Sequence, residues 1–432
     1  MKSKTFFLLL MLLSVQIHAQ TITATEKTEI LSDVIQKIER IYPFPEISEK
    51  IIAGLNKQIS NGYYDGINSH VDFATQVTYS LEEFSNDKHL DLLYNPELAK
   101  ALLKETSNSS DYTKEEAKTE IWNNYGFKEL KILDGNVGYL NLSVFFSTNY
   151  AGKIADAAMA YFSNCNALII DLRENGGGWS DMVVYLLAYF IDNTEPLVLN
   201  ITESTLDSTI YSEVVPTYVP GPKLANIPIY ILTSPVTASA AEAFTSHLKY
   251  FNKLTIIVGK KTKGAENPVE HLAVDENFVL QIPAWKKLYT GNPIVWEGIG
   301  IEPDIEVVPE DALSTVYKNA LQKLLKAAND QTAMEKYKWA LDGLSAGYDN
   351  IDINSIKEYA GSYGKIQIKF RDDKLYYQTD GGFSGLMIPI SDDYFVVEGL
   401  SYFRIKFIKN ENTIILKQVF TYGTEREYIK SE

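Results

Sequence analysis

The sequence predicts a mixed α/β protein in three successive parts: a helical N-terminal bundle, a layered α/β domain with largely parallel strands, and a small antiparallel β domain. Three observations carry this. Apolar residues recur at helical period up to about Asn95; apolar β-type runs then alternate with helical stretches as far as Pro309; short alternating strands broken by acidic and Asn-rich turns follow Gly361.

At the start, Lys2 and Lys4 precede the apolar run Phe6 to Leu13, and Val15 leads to a small-residue end at His18-Ala19. That pattern is a secretory signal peptide, residues 1–19, with cleavage near Ala19. The run is shorter than the ~20 residues of a membrane span, so the expected product is exported to a bacterial periplasm or the exterior without membrane insertion. The helical domain, residues 20–105, shows Ile30, Val34 and Ile38, then Ile47, Ile51, Ile52 and Leu55, then Val71, Ala74, Val77, Leu81 and Phe84, about three helices. A polar connection from Lys104 to Glu120 leads into the α/β domain, residues 115–310. Its elements are Val137 to Leu142, Ala157 to Phe162, Ala167 to Leu172, Met182 to Phe190, Ile227 to Thr233, Ala240 to Phe251 and Thr255 to Val258. A helical connection spans 311–345, and the antiparallel β domain spans 346–432.

The formal charge of −16 becomes −18 once residues 1–19 are removed, because Lys2 and Lys4 go and no acid does. So acidic a surface disfavours nucleic acid and anionic membranes as partners. The single cysteine, Cys165, cannot form an internal disulfide and reads as a small core residue. The histidines are too sparse for zinc-ligand spacing, and no cofactor or metal is expected.

Three segments of the α/β region could do chemistry. Asp171-Leu-Arg-Glu-Asn-Gly-Gly-Gly-Trp follows a buried strand, and its glycines either permit a tight turn or leave N–H groups open to an oxyanion. In Thr233-Ser-Pro-Val-Thr-Ala-Ser-Ala-Ala-Glu, Ser239 begins a helix, either as a plain N-cap or where the free N–H of Ala240 could stabilise negative charge. Trp296-Glu-Gly-Ile-Gly holds Glu297, a loop carboxylate that either faces solvent or orients a histidine. A hydroxyl nucleophile needs a base. His247 lies eight residues along the helix from Ser239, roughly 12 Å at 1.5 Å per residue, which leaves His70, His89 and His271. His89, in Ser85-Asn-Asp-Lys-His-Leu, closes the helical region at a turn, as an exposed or capping group or facing a neighbouring domain.

Taken together and in order, Asn86-Asp-Lys-His-Leu with Tyr94-Asn-Pro, Tyr125-Gly-Phe with Asn136-Val-Gly-Tyr-Leu, Ala167 to Gly178, Thr233 to Phe244 and Trp296 to Asp304 resemble the S41 peptidases, in the branch of the interphotoreceptor retinoid-binding protein and the tricorn core. The resemblance covers roughly residues 25–308. It implies a helical domain packed on a ClpP/crotonase-like α/β peptidase domain. It further implies Ser239 as nucleophile, His89 as general base, Glu297 as the group that orients the imidazole, and an oxyanion hole from the N–H of Ala240 with Gly177 or Gly178. Peptides or unfolded proteins would be the substrates. Two features depart from the C-terminal processing peptidases of the family: the lysine of their serine–lysine dyad would fall at Ala265, with Lys263 a loop residue beside it, and no PDZ-like insert precedes the α/β core. The position of the tricorn-type serine beside the histidine is Lys88. The resemblance leaves a rival open, a catalytically silent S41-fold module that binds an apolar ligand or peptide. A third reading gives the C-terminal β domain the function, docking a partner on a peptidase scaffold.

Overall fold

The computed structural model describes residues 21–104, 117–349, 351–411 and 413–431; the expected signal peptide, residues 1–19, and its cleavage point lie outside them. Among the described residues no helix is long and apolar enough to cross a membrane. The chain divides into two compact units. One comprises residues 1–116, 198–213 and 264–299, the other 117–197, 214–263 and 300–432.

In the first unit, apolar spacing produces three helices, Ala24–Ile41, Pro45–Ser60 and His70–Ser85. The first starts on a reciprocal cap: Thr23 Oγ1 accepts the Glu26 N–H (3.2 Å) and Glu26 Oε2 accepts the Thr23 N–H (2.7 Å). The third ends where Asn86 adopts a left-handed conformation, φ 55°. Val34, Ile38, Ile51, Leu55, Phe73 and Leu81 are fully buried and pack with Phe278, Leu280 and Ile282. At roughly 1.5–3 kcal/mol for each large apolar side chain removed from water, this shared core dominates the unit. Phe278–Pro283 is the middle strand of a three-stranded antiparallel sheet, flanked by Asp91–Tyr94 and Val269–Ala273. Its pairing joins segments nearly 200 residues apart and is not predicted by local apolar spacing.

The second unit is built on a six-stranded sheet in the order Ile305–Glu306, Thr255–Gly259, Ile229–Thr233, Ala167–Asp171, Val137–Leu142, Phe127–Leu133. Every pairing is parallel except the last. Ala167–Asp171 and Ile229–Thr233 are buried along their whole length, as central parallel strands are when helices cover both faces. On one face, Ala312, Val316 and Ala320 of the helix Pro309–Ala327 pack with Val137, Ile169 and Tyr230. The same unit carries an eight-stranded antiparallel meander from Gly361 to Ile429, each strand paired with its neighbours in sequence. Its core holds Tyr363, Leu375, Met387, Phe395 and Phe407, and the Ser431 N–H donates to the Ser362 carbonyl (2.8 Å), linking its two ends. The mixed α/β architecture and the terminal antiparallel sheet are those the sequence predicts.

Candidate active site

Ser239 stands between the central strand Ile229–Thr233 and the helix Ala240–Phe251. A plain N-cap adopts extended backbone; Ser239 instead has φ 51° and ψ −120°, a region that a residue with a Cβ occupies only when its surroundings force it. The surroundings are dense. The Thr237 hydroxyl donates to the Leu172 carbonyl (2.8 Å), the Ala238 N–H to the Asn175 carbonyl (3.2 Å) and the Lys263 N–H to the Thr237 carbonyl (3.0 Å). The Ser239 N–H is taken by Glu242 Oε2 (3.0 Å), and the Thr262 hydroxyl donates to the other oxygen of that fully buried carboxylate. Ser239 is thus held on a strained turn in a reciprocal cap with Glu242, and Ala240 opens the helix behind it, at the helix's positive end.

The glycine triplet closes against this turn. A Cβ on Gly177 would lie 2.8 Å from Ser239 Cβ and 3.2 Å from the Ala240 nitrogen, and φ at Gly177 is +120°. A Cβ on Gly178, φ +130°, would meet the Phe145 carbonyl oxygen at 2.3 Å. Asn175 organises the loop: its Nδ2 donates to the Leu142 carbonyl (2.9 Å) and its Oδ1 accepts the Gly177 N–H (2.8 Å). Phe145 bonds to the Gly177 carbonyl and the Trp179 N–H, a parallel bridge in which the N–H of Gly178 itself points away from Phe145. Of the two N–H groups, that of Gly177 is therefore committed to Asn175, whereas Gly178 is exposed. Upstream, Asp171 accepts Arg173 Nε (2.9 Å) and Nη2 (2.6 Å) and the Tyr139 hydroxyl (2.9 Å); burial beside Asp171 pushes the Tyr139 hydroxyl well above its usual range, so it stays a donor.

His89 and Glu297 belong to the first unit. His89 is 7% exposed. Its backbone N–H donates to Asp87 Oδ1 (3.0 Å), its carbonyl accepts Gln281 Nε2 (2.9 Å), and its Nδ1 lies 4.0 Å from Glu297 Oε2. The turn that carries it presses on Gly298, φ +65°, where a Cβ would lie 2.3 Å from Asn86 Nδ2. Asp87, 2% exposed, also accepts the Tyr42 hydroxyl (2.8 Å) and Asn267 Nδ2 (3.3 Å) on its second oxygen. Burial, then Asp87, then Glu297 keep the Tyr42 hydroxyl protonated to far above its ordinary pKa.

One donor atom each from Asp87, His89 and Glu297 lie within 4.8 Å of one another, a spacing that could hold a divalent cation. Both Asp87 oxygens already accept hydrogen bonds, so the set suits imidazole positioning better than metal ligation. The other histidines are placed differently: His70 stacks on Tyr94 (5.1 Å between ring centroids), His247 is buried beside Phe251, and His271 lies in the strand Val269–Ala273. Ala265 is buried and Lys263 exposed. Three positions were missed in the sequence: Asp87, Glu242 and Glu266. Only Glu242 had a local signal, the Ser-x-x-Glu spacing of a capping box.

A serine with positive φ at a helix start, directly after a central parallel strand and beside a glycine loop, has the backbone setting of a strained strand-to-helix turn. Residues 136–307 match the sequence profile of peptidase family S41, and residues 18–129 that of the N-terminal domain of the S41 peptidase in eukaryotic IRBP. The chain belongs to peptidase family S41. The "Probable CtpA-like serine protease" of Staphylococcus aureus strain COL is 28% identical over 219 residues, 50% of this chain and 42% of that protein. The protein of the same description from Staphylococcus saprophyticus is 25% identical over 218 residues, again 50% and 42%. The chain thus matches less than half the length of these curated relatives. Among solved structures, the photosystem II D1 C-terminal processing protease is similar with TM-score 0.41 and 14% identity, over 67% of this chain and 94% of that one. The tricorn protease gives TM-score 0.42 and 13% identity, over 67% and 35%.

Proposed function

We propose that this chain is an exported serine endopeptidase that hydrolyses peptide bonds through an acyl-enzyme on Ser239, with His89 as general base and Glu297 orienting the imidazole. The observation that carries the reading is the strained backbone of Ser239 at the start of a helix. A strained strand-to-helix turn of this kind is where hydrolase nucleophiles sit, and the N–H groups of Gly178 and Ala240 are the two donors assigned to the oxyanion. In the reaction, His89 takes the proton of Ser239 as the oxygen attacks a peptide carbonyl. The amine leaves with that proton, and water, activated by the same imidazole, releases the acyl group. Glu297 stabilises the imidazolium without itself taking the proton. General-base help is worth roughly 10²–10⁴-fold and an oxyanion donor roughly 10²–10³-fold, so the loss of either nearly silences the enzyme. Export belongs to the same proposal, supported by Lys2, Lys4 and the run Phe6 to Leu13.

The test is cleavage of casein, together with labelling by a fluorophosphonate, by the mature chain and by Ser239→Ala, His89→Ala and Glu297→Gln. Cleavage and labelling by the wild type, lost in the first two variants and crippled in the third, is the expected result. A wild-type chain inert to both overturns the reading. Peptide sequencing of the product from the native host should begin just after Ala19.

A further inference from the structure

Glu297 is itself held by a second glutamate. Its Oε2 accepts the backbone N–H groups of Glu266 (2.6 Å) and Asn267 (2.9 Å), while Glu266 Oε2 accepts those of Trp296 (2.8 Å) and Glu297 (3.0 Å). The two segments therefore exchange carboxylate-to-amide bonds in both directions, and each carboxylate fixes the backbone from which the other projects. Bonds of this kind, with an ionised acceptor, are about twice as strong as neutral ones. The other oxygen of Glu266 pairs with Lys287, whose Nζ also lies 5.6 Å from the centroid of the Trp296 ring. The Glu266 side chain is only 4% exposed, and a carboxylate so buried remains ionised only beside a compensating charge. Besides Glu266, the charged groups that act on Lys287 are Glu297 and Glu213, while burial favours its neutral form.

We propose that Glu266 is a positioning residue for catalysis: the exchange of amide bonds holds the Glu297 carboxylate toward His89, and the ion pair with Lys287 anchors Glu266 in that role. The inference rests on the triad reading above. The 4.0 Å between His89 Nδ1 and Glu297 Oε2 is a distance that closes into a hydrogen bond with a movement of about 1 Å, and misplacement on that scale costs on the order of 10²-fold in rate. A clasp that fixes the carboxylate from both ends governs whether that movement succeeds.

The experiment compares Glu266→Gln, Glu266→Ala, Lys287→Met and the double variant Glu266→Gln with Lys287→Met, each in the full mature chain, by peptidase kinetics and by NMR titration of the His89 imidazole. Glu266→Ala is expected to lower kcat on the order of 10²-fold with KM little changed. It should also move the acid limb of kcat/KM to lower pH, because a loosened Glu297 stabilises the imidazolium less. The double variant should recover much of the loss of either single change, since a neutral amide can accept the two N–H bonds without a cation left alone beside it. A Glu266→Ala chain that matches wild type in kcat and in acid limb, while Glu297→Gln is crippled, overturns the inference and leaves the triad standing. If the wild type proves inert, the triad reading fails, and the NMR titration still decides the inference: a His89 midpoint identical in wild type and in both Glu266 variants refutes it.

Discussion

If Ser239 is strained for the sake of its hydroxyl, removing the strain should stabilise the protein while abolishing activity, and two substitutions separate these effects. Ser239→Ala deletes the hydroxyl and keeps a Cβ at φ 51°, ψ −120°. Ser239→Gly deletes both. A non-glycine residue held in a sparsely populated backbone region costs about 1–3 kcal/mol, and the extra freedom that glycine brings to the unfolded chain returns about 0.4–1 kcal/mol of that. The glycine variant should therefore exceed the alanine variant by roughly 1–2 kcal/mol, or about 2–8 °C in Tm at roughly 2–4 °C per kcal/mol. Thermal unfolding followed by circular dichroism measures the difference, and a fluorophosphonate confirms that neither variant is labelled. A glycine variant that melts at or below the alanine variant would refute the idea that the turn stores strain.

Two further expectations concern other sites. Gly178→Ala puts a Cβ 2.3 Å from the Phe145 carbonyl oxygen at φ +130°, which displaces the loop that carries the proposed oxyanion donor; kcat should fall on the order of 10²–10³-fold, and unchanged kcat would remove Gly178 from the proposed site. His271 is half-buried in the strand Val269–Ala273, and desolvation pulls its pKa below the usual value against the opposing effects of Gln281 and Asp91. The unfolded chain therefore takes up a proton first as pH falls. Stability from this group is complete above about pH 6.5 and declines as pH drops from there toward the depressed folded value; urea midpoints should decrease over that range in wild type and decrease less in His271→Gln.

Local patterns made much of this molecule legible and non-local ones did not. The strands Ala167–Asp171 and Ile229–Thr233 are continuous apolar runs because both faces are covered, and such runs announce themselves. The resemblance to family S41 was likewise readable from segments in order. The strand Ser384–Ser391 was not, because Pro389 interrupts its pattern; the structure tolerates it where the pairing register shifts between Pro389 and Ser391. Nor were Asp87 and Glu266. Their partners, Tyr42 and Asn267 for one and Trp296 and Glu297 for the other, lie 30 to 180 residues away in sequence, and no periodicity reports a hydrogen bond across such a distance. The left-handed backbone of Ser239 was hidden for another reason: the same Ser-x-x-Glu spacing also describes an ordinary cap.

The sheet of the first unit also sets a schedule. The His89 carbonyl is held by Gln281, 192 residues later in the chain, and among the described residues Asp91–Tyr94 pairs only with Phe278–Pro283. At a synthesis rate of 5–20 residues per second, about 10–40 s pass between the emergence of these two segments. Throughout that interval the helices Ala24–Ile41 and His70–Ser85 have no Phe278, Leu280 or Ile282 to pack on, and the turn bearing His89 has no partner strand. The base of the proposed triad is thus made early and seated late, after the strand and helix flanking Ser239 have already been synthesised. A nascent chain cut short between Lys263 and Phe278 would carry every residue of the serine turn and a histidine with no fixed place.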